Sequence, residues 1–415
     1  MKDVIGEGVL HRNIYMLFFL TFFIILSFGV FYSPHIAFWS CMILLVSRMS
    51  NSSIFRNTIV FVAVLMILFT AASRTIGMAL NDDLIGTYMP IVNSQILYHS
   101  VFSAGLGIEI AYPFYINILL SFFQLNDPRF VLFLTTILTL FFYLLWLYFF
   151  LLPSIERKDR GIAVALSLSF IQLGLLTQVL RQEMATPILL MAIFSWGRGN
   201  KIGSLAFLIL ATSIHSSSLI IFFFFVLFPL LRVKGKIFVL LMFLLFSVCV
   251  FLYPSLVVSF FSIIQLSFIG NKIIYYEGAQ FLGGFEAFWA GKFYLLIVLF
   301  IIFCRSFLKR VSFNDPFYKS MYDFCFWGCL CNLTLILLPN AGRFFLVIPG
   351  FLMVFVLYPI MKRYPVMFRY LFFVFIMCSF FFPQRLVGGG NPGFELWQSY
   401  SWIGEEPFYY LSWLF

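Results

Sequence analysis

Apolar runs separated by short polar turns recur along the chain, near residues 14–32, 35–47, 57–73, 129–152, 161–180, 184–197, 202–216, 218–231, 237–253, 292–308, 318–338, 343–361 and 366–383. A helix of about 20 apolar residues crosses the ~30 Å hydrocarbon core of a bilayer, and in lipid a helix satisfies its own backbone groups. The pattern predicts an all-α, polytopic integral membrane protein of about 13 transmembrane helices, forming a single transmembrane domain over residues 1–415. Residues 74–128 break the pattern with Arg74, Asp82, Asp83, Asn93, His99, Glu109 and Asn126. The apolar pieces there, near 84–103 and 109–125, are expected to be interfacial or re-entrant helices in an external loop. Several runs around 181–217 are shorter than a perpendicular span needs, so their outer ends are expected to stop below the membrane surface and line an outward recess.

Composition agrees with the pattern. The chain is 63% hydrophobic and 10% charged, with a mean hydropathy of +1.03, which excludes an ordinary soluble enzyme. A net charge of +10 would suggest nucleic acid in a soluble protein. Here the loops account for it, and no nucleic-acid partner is expected. With residue 1 inside, 19 of the 26 Lys and Arg residues fall on the inner side. The other 7 are Arg74, Arg129, Arg181, Lys272, Lys292, Arg343 and Arg385. Counting 109–125 as a full span would invert that bias for every later loop. The external surface is therefore expected to comprise 74–128, 254–291 and the tail 384–415. The first run is too long for a cleavable signal and lacks a small-residue cleavage site after it, so it reads as a retained span.

The seven cysteines lie in apolar runs and show no disulfide framework. Cys325, Cys329 and Cys331 have no closing His or Cys pair beside them and read as small buried hydrophobes, so no metal site is expected. The GGGNPG run at 388–393 lacks a following Lys-Ser/Thr helix start and reads as a loop.

With so few charges, ionisable groups at the ends of apolar helices carry the functional signal. Four outward clusters stand out: Arg74 with Asp82, Asp83 and Tyr88; Glu109 with Tyr112; Arg181-Gln182-Glu183 with His215; and Asn340-Ala341-Gly342-Arg343-Phe344. Arg74, Arg181 and Arg343 suit an anionic ligand, because a guanidinium donates two parallel hydrogen bonds and keeps its charge when partly desolvated. Asp83, Glu109 or His215 offers a proton acceptor for a hydroxyl nucleophile, and the choice among them stays open. Gln182 reads as an orienting partner of Arg181, and Glu183 as a helix-start charge favoured by the dipole.

Four pieces, in order across roughly residues 70–350, carry a resemblance. They are the Asp-rich, Tyr-containing segment 82–88, Glu109 with Pro113-Phe114-Tyr115, Arg181-Gln182 opening a helix that leads through a basic turn to His215-Ser216-Ser217, and Gly342-Arg343-Phe344. Together they resemble the EpsG-type branch of the Wzy polysaccharide (O-antigen) polymerases. Glu183-Met184 stands where family members usually carry a small residue.

The resemblance implies a glycosyltransferase, free of cofactor and metal, at the outer face of a bacterial inner membrane. It would join undecaprenyl-diphosphate-linked glycan units, with a growing chain as donor and a single repeat unit as acceptor. A chain-length regulator is an expected partner beside the lipid bilayer. It implies that Arg181 and Arg343, with Arg74, Gln182 and Tyr88, bind the diphosphate or sugar, and that Asp83, Glu109 or His215 takes the proton. Two other readings compete. A lipid-linked oligosaccharide flippase would carry charges along a central path, and an O-antigen ligase a larger late external loop.

Overall fold

The computed structural model describes residues 20–77, 82–100, 106–125, 127–171, 173–263, 316–334, 353–363, 372–374 and 403–414, with Leu17 and Phe102 besides. Every regular element among the described residues is helical. Among the described residues, three stretches are long and apolar enough to cross a membrane: Ser53–Ala72 (α3), Val233–Leu252 (α12) and Pro128–Ser154. The last consists of α6 (Pro128–Trp146) continued by a π turn and a 3-10 turn that Pro153 closes. Shorter apolar helices are α1 (Leu20–Tyr32), α2 (Pro34–Val46), α5 (Ala111–Phe122), α10 (Lys201–Ile214), α11 (Ser217–Leu230) and α13 (Pro254–Ile263).

The bundle is built around α9 (Leu180–Gly197), whose residues are buried on all sides from Gln182 to Ser195. A helix buried all round belongs in the middle of a bundle, and α9 is packed by α6, α10, α11 and the short α8 (Leu173–Gln178). Next to this core, α3 joins α6 to α2, and α2 packs on α7 (Arg160–Ser169). The α2–α7 approach depends on Gly161, where a Cβ would lie 2.4 Å from the Leu45 carbonyl oxygen. Small residues of this kind let membrane helices close together. Farther along the chain, α14 (Pro316–Thr334) lies on α11 and α12, and α15 (Met353–Arg363) on α7 and α14. Cys325, Cys329 and Cys331 are buried along α14.

Two departures from the sequence reading matter for the site. The run 161–180 is not one span: it breaks after Phe170 into α7 and α8, and Val179 separates α8 from α9. Helix α9 then starts at Leu180, so Arg181, Gln182 and Glu183 form its first turn. In the 254–291 segment, read as an external loop, the first ten residues are the helix α13. The 74–128 segment holds a π turn (Leu84–Tyr88), α4 (Met89–Tyr98) and the 12-residue α5, which is too short for a perpendicular span. The run 292–308, most of 343–383 and Arg343 itself lie outside the described residues.

Chain direction fixes what shares an end of the bundle. Helix α3 carries Arg56 near its start and ends at Ala72, just before Arg74; α9 carries Arg181 at its start and ends at Gly197; α10 returns from Lys201 to Ile214, with His215 next. Arg74, Arg181 and His215 therefore lie at one end. At the other, Arg198 donates to the Phe150 carbonyl at 2.7 Å, Lys236 pairs with Asp323 at 2.9 Å, and Lys362 pairs with Glu156. In intact cells a cysteine replacing Ser100 is expected to react with a membrane-impermeant thiol reagent, and one replacing Lys158 to react only after permeabilisation. The opposite labelling pattern would invert the orientation read from the loop charges.

Candidate functional site

The segment after α3 is held by one buried ion pair. Arg74 gives Nη1 and Nη2 to Asp82 Oδ2 and Oδ1 at 3.0 and 2.9 Å, a bidentate fork with no exposed guanidinium surface. Asp82 also accepts the backbone N–H groups of Gly77 and Leu84, both at 3.0 Å. Burial raises the Asp82 carboxyl, but Arg74 and these two N–H groups outweigh it and hold it below the usual carboxylate range. The same segment is tied to α8, because Asp83 N–H donates to Gln178 Oε1 at 2.9 Å and Arg74 Nη2 reaches the Thr177 carbonyl at 3.4 Å. The break between α7 and α8 is what presents Thr177 and Gln178 to this strap.

From the strap, the π turn carries Tyr88 to the start of α9. There the Arg181 backbone N–H donates to the Tyr88 hydroxyl at 3.3 Å, and the guanidinium carbon stands 6.0 Å from the ring centroid. The first N–H groups of a helix lack internal partners, and Tyr88 supplies one. Burial raises the Tyr88 phenol above its ordinary value, so it stays protonated at neutral pH. Tyr112 packs edge-on to Tyr88 with centroids 5.6 Å apart.

The centre of the site is the Glu109 carboxylate. Oε2 accepts Arg181 Nη1 at 2.5 Å. Oε1 meets His215 Nδ1 at 3.1 Å and accepts Ser216 N–H at 2.9 Å and Ser216 Oγ–H at 2.6 Å. His215 ends α10 in an extended conformation (φ −150°, ψ 118°), and α11 starts two residues later, so the turn aims both His215 and Ser216 at one point. Glu109 thereby sits at the N-terminus of α11, where an anion is favoured. Burial raises the Glu109 carboxyl, but the bonds and charges of His215, Arg181 and Ser216 prevail and hold it at about 2.

What stays unoccupied on these groups is as informative. The Glu109 side chain is 7% exposed, those of Arg181 and His215 16% and 18%. Arg181 Nε is buried without a hydrogen-bond partner, and among the described residues His215 Nε2 has none either. An arginine with spare donors and an imidazole with one nitrogen pinned and the other open can bind an anion and accept a proton side by side.

A model of the EpsG family matches residues 57–391, a span that holds every residue of this site. The chain belongs to the EpsG family. No curated protein and no solved structure matches it. EpsG-family membership makes this a membrane protein of a family associated with polysaccharide polymerisation.

In this EpsG-family chain, the structure brings Glu109, Arg181, His215 and Tyr88 together and sets the other candidates apart. Arg74 has no exposed surface and gives its fork to Asp82, so its geometry is that of a brace rather than a ligand contact. Tyr88 is likewise buried and steadies Arg181 instead of facing a substrate. Asp82 is the acid that pairs with Arg74, while the half-buried Asp83 is held through its backbone to Gln178. Gln182 is buried in the first turn of α9. Sequence reasoning overlooked Ser216 as a partner of Glu109 and Gln178 as a clamp on Asp83. A polar Gln inside an apolar run was the available signal for the second.

Two outcomes follow. An acid whose folded value lies below its ordinary 4.5 stabilises the fold fully above that pH and loses the contribution as pH falls toward about 2. Thermal unfolding of detergent-purified protein should show this loss, on the order of 3 kcal/mol at most, and Glu109→Gln should remove most of the difference in that window. Arg74→Ala strands Asp82 as a buried unpaired acid and should cost about 3–5 kcal/mol, read as a lowered melting temperature, with Arg74→Ala/Asp82→Asn recovering part.

Proposed function

We propose that the protein is a glycosyltransferase that polymerises undecaprenyl-diphosphate-linked oligosaccharide repeat units into O-antigen, capsular or exopolysaccharide. The reaction takes place at the outer face of a bacterial inner membrane. The observation that carries the reading is the Arg181–Glu109–His215 constellation, lying at one end of short helices in an EpsG-family chain. Burial of an arginine with spare donors beside a carboxylate-held imidazole supports a site that binds a diphosphate and deprotonates a hydroxyl.

The transfer is a displacement at the anomeric carbon of the donor. The acceptor hydroxyl oxygen bonds to that carbon, the carbon–oxygen bond to the diphosphate breaks, and its electron pair leaves with the diphosphate. Arg181 neutralises the charge that builds on the leaving oxygen, and Arg343 is expected to share that task. The acceptor proton passes to His215 Nε2. Glu109, held at about 2, is too acidic to be an effective base near neutral pH. It orients the ring through Nδ1 and stabilises the imidazolium, leaving the proton-accepting role to His215. Asp83 is the less suited candidate, since its backbone is tied to Gln178 on α8 rather than to the α10–α11 turn. The arrangement needs no metal for these steps. Donor and acceptor reach the site from the bilayer, and a chain-length regulator would act on it from outside.

Deletion of the gene is expected to leave single repeat units on the surface lipid, seen as one band in place of a ladder on a gel. A flippase would strand units inside, and a ligase would leave bare core with accumulated long chains. Arg181→Ala and His215→Ala should lower polymerisation by on the order of 10²-fold or more with normal membrane levels. A full ladder in both variants sinks the assignment.

A further inference from the structure

Glu109 is bonded very unevenly. Three donors from the α10–α11 turn converge on Oε1, while Oε2 rests on Arg181 Nη1 alone among the described residues. The carboxylate is therefore anchored by one oxygen and detachable by the other. Arg181 is equally lopsided. It gives Glu109 one of its five N–H donors, its Nε is buried without a partner, and its side chain is 16% exposed. A planar guanidinium is matched by an anion presenting two oxygens, which one carboxylate oxygen at Nη1 does not supply. Meanwhile Tyr88 holds Arg181 through the backbone N–H at its helix start and also lies beside the guanidinium, so an exchange of anions on the guanidinium needs no movement of α9.

We infer that in the unliganded protein Glu109 Oε2 occupies the seat of a phosphate oxygen on Arg181, and that an incoming diphosphate exchanges with it. This rests on the diphosphate-transfer reading given above. Two anions against one cation repel each other, so the diphosphate and Oε2 cannot share Nη1 closely, and the better-matched bidentate ligand takes the fork. Glu109 keeps its three bonds to His215 and Ser216 throughout. The exchange also has a consequence at the base. While Arg181 is on Glu109, its positive charge offsets the carboxylate that supports His215. Once Arg181 moves to the diphosphate, the full negative charge of Glu109 is left facing the imidazole that receives the acceptor proton, 3.1 Å away at Nδ1. Donor binding thus arms the base that deprotonates the acceptor, and an unliganded site stays a poor catalyst.

The test is binding of inorganic pyrophosphate to the full-length protein in nanodiscs, by titration calorimetry, with thermal unfolding as a check on folding. Glu109→Gln keeps the shape and removes the competing charge, and it should bind pyrophosphate about tenfold more tightly than the parent while losing polymerisation. Glu109→Asp keeps the charge but shortens its reach from the Ser216 anchor, and should also bind more tightly, by less. Arg181→Ala should bind no pyrophosphate. Equal or weaker binding by folded Glu109→Gln and Glu109→Asp, with binding still lost in Arg181→Ala, overturns the exchange and leaves the diphosphate reading intact. Undiminished binding by Arg181→Ala overturns both.

Discussion

A carboxylate at the membrane end of a helix bundle persists only if donors surround it, and meeting that requirement at Glu109 organises the site. Glu109 lies in the lead into α5, and its four contacts come from two other places in the chain, the first turn of α9 and the turn from α10 to α11. Removing Glu109 would leave Ser216 N–H without that acceptor at the head of α11, His215 free to rotate, and Arg181 without its counter-charge. Catalytic geometry and local stability therefore rest on the same four contacts. Each partner is conversely placed by something other than Glu109: Arg181 by Tyr88, and His215 by the extended backbone that ends α10.

The Arg74–Asp82 pair follows the same electrostatic rule to a different end. Its fork is given to one carboxylate, Asp82 takes two further backbone donors, and no part of the Arg74 side chain is exposed, so the pair is closed to a ligand although Arg74 Nε is buried without a partner. Arg181 has donors to spare and surface to reach them. Two arginines at the same end of the bundle are thus distinguished by how their forks are paired and by what can reach them, rather than by residue type. The closed pair holds the N–H groups of Gly77 and Leu84, the π turn that starts at Leu84 delivers Tyr88, and Tyr88 steadies the helix that carries the accessible arginine. A chain of this kind transmits position without touching substrate.

How much was legible beforehand follows from these contacts. Helices announce themselves by apolar runs bounded by polar turns, and α3, α10, α11 and α12 fall within a few residues of their runs. The break between α7 and α8 was hidden, because Phe170 and Ile171 continue the apolar run while the backbone leaves the helix. Polar residues at helix ends marked Arg181, His215 and Glu109 as candidates, since burying charge in an apolar chain needs a cause. Their pairing was not legible: 72 residues separate Glu109 from Arg181 and 106 separate it from His215, and only the packed bundle closes those distances. Likewise nothing in the Asp82-Asp83 doublet reveals which acid turns toward Arg74. That depends on the direction in which the backbone enters the π turn, where Asp82 can take its own loop's N–H groups.

The length of the helices that end at this site bears on how a lipid-linked substrate would meet it. Helices α10 and α11 have 14 residues each, or roughly 21 Å at 1.5 Å per residue, short of the ~30 Å apolar thickness of a bilayer. Both start or finish at the basic end, so their junction at His215–Ser216 falls inside the far boundary rather than on it. Charges placed there act through a lower dielectric than at the surface, which strengthens the hold of Arg181 on an anion. A prenyl chain can remain in the lipid while its diphosphate moves a short way inward to that arginine. Transport across the membrane would instead require polar groups along the full length of a path. The middle of α9 from Ile188 to Phe194 is uniformly apolar and buried, so the central helix carries its ionisable groups in its first turn. Such a helix suits a fixed reaction site at one face, with sugars kept in water and the lipid kept in the bilayer.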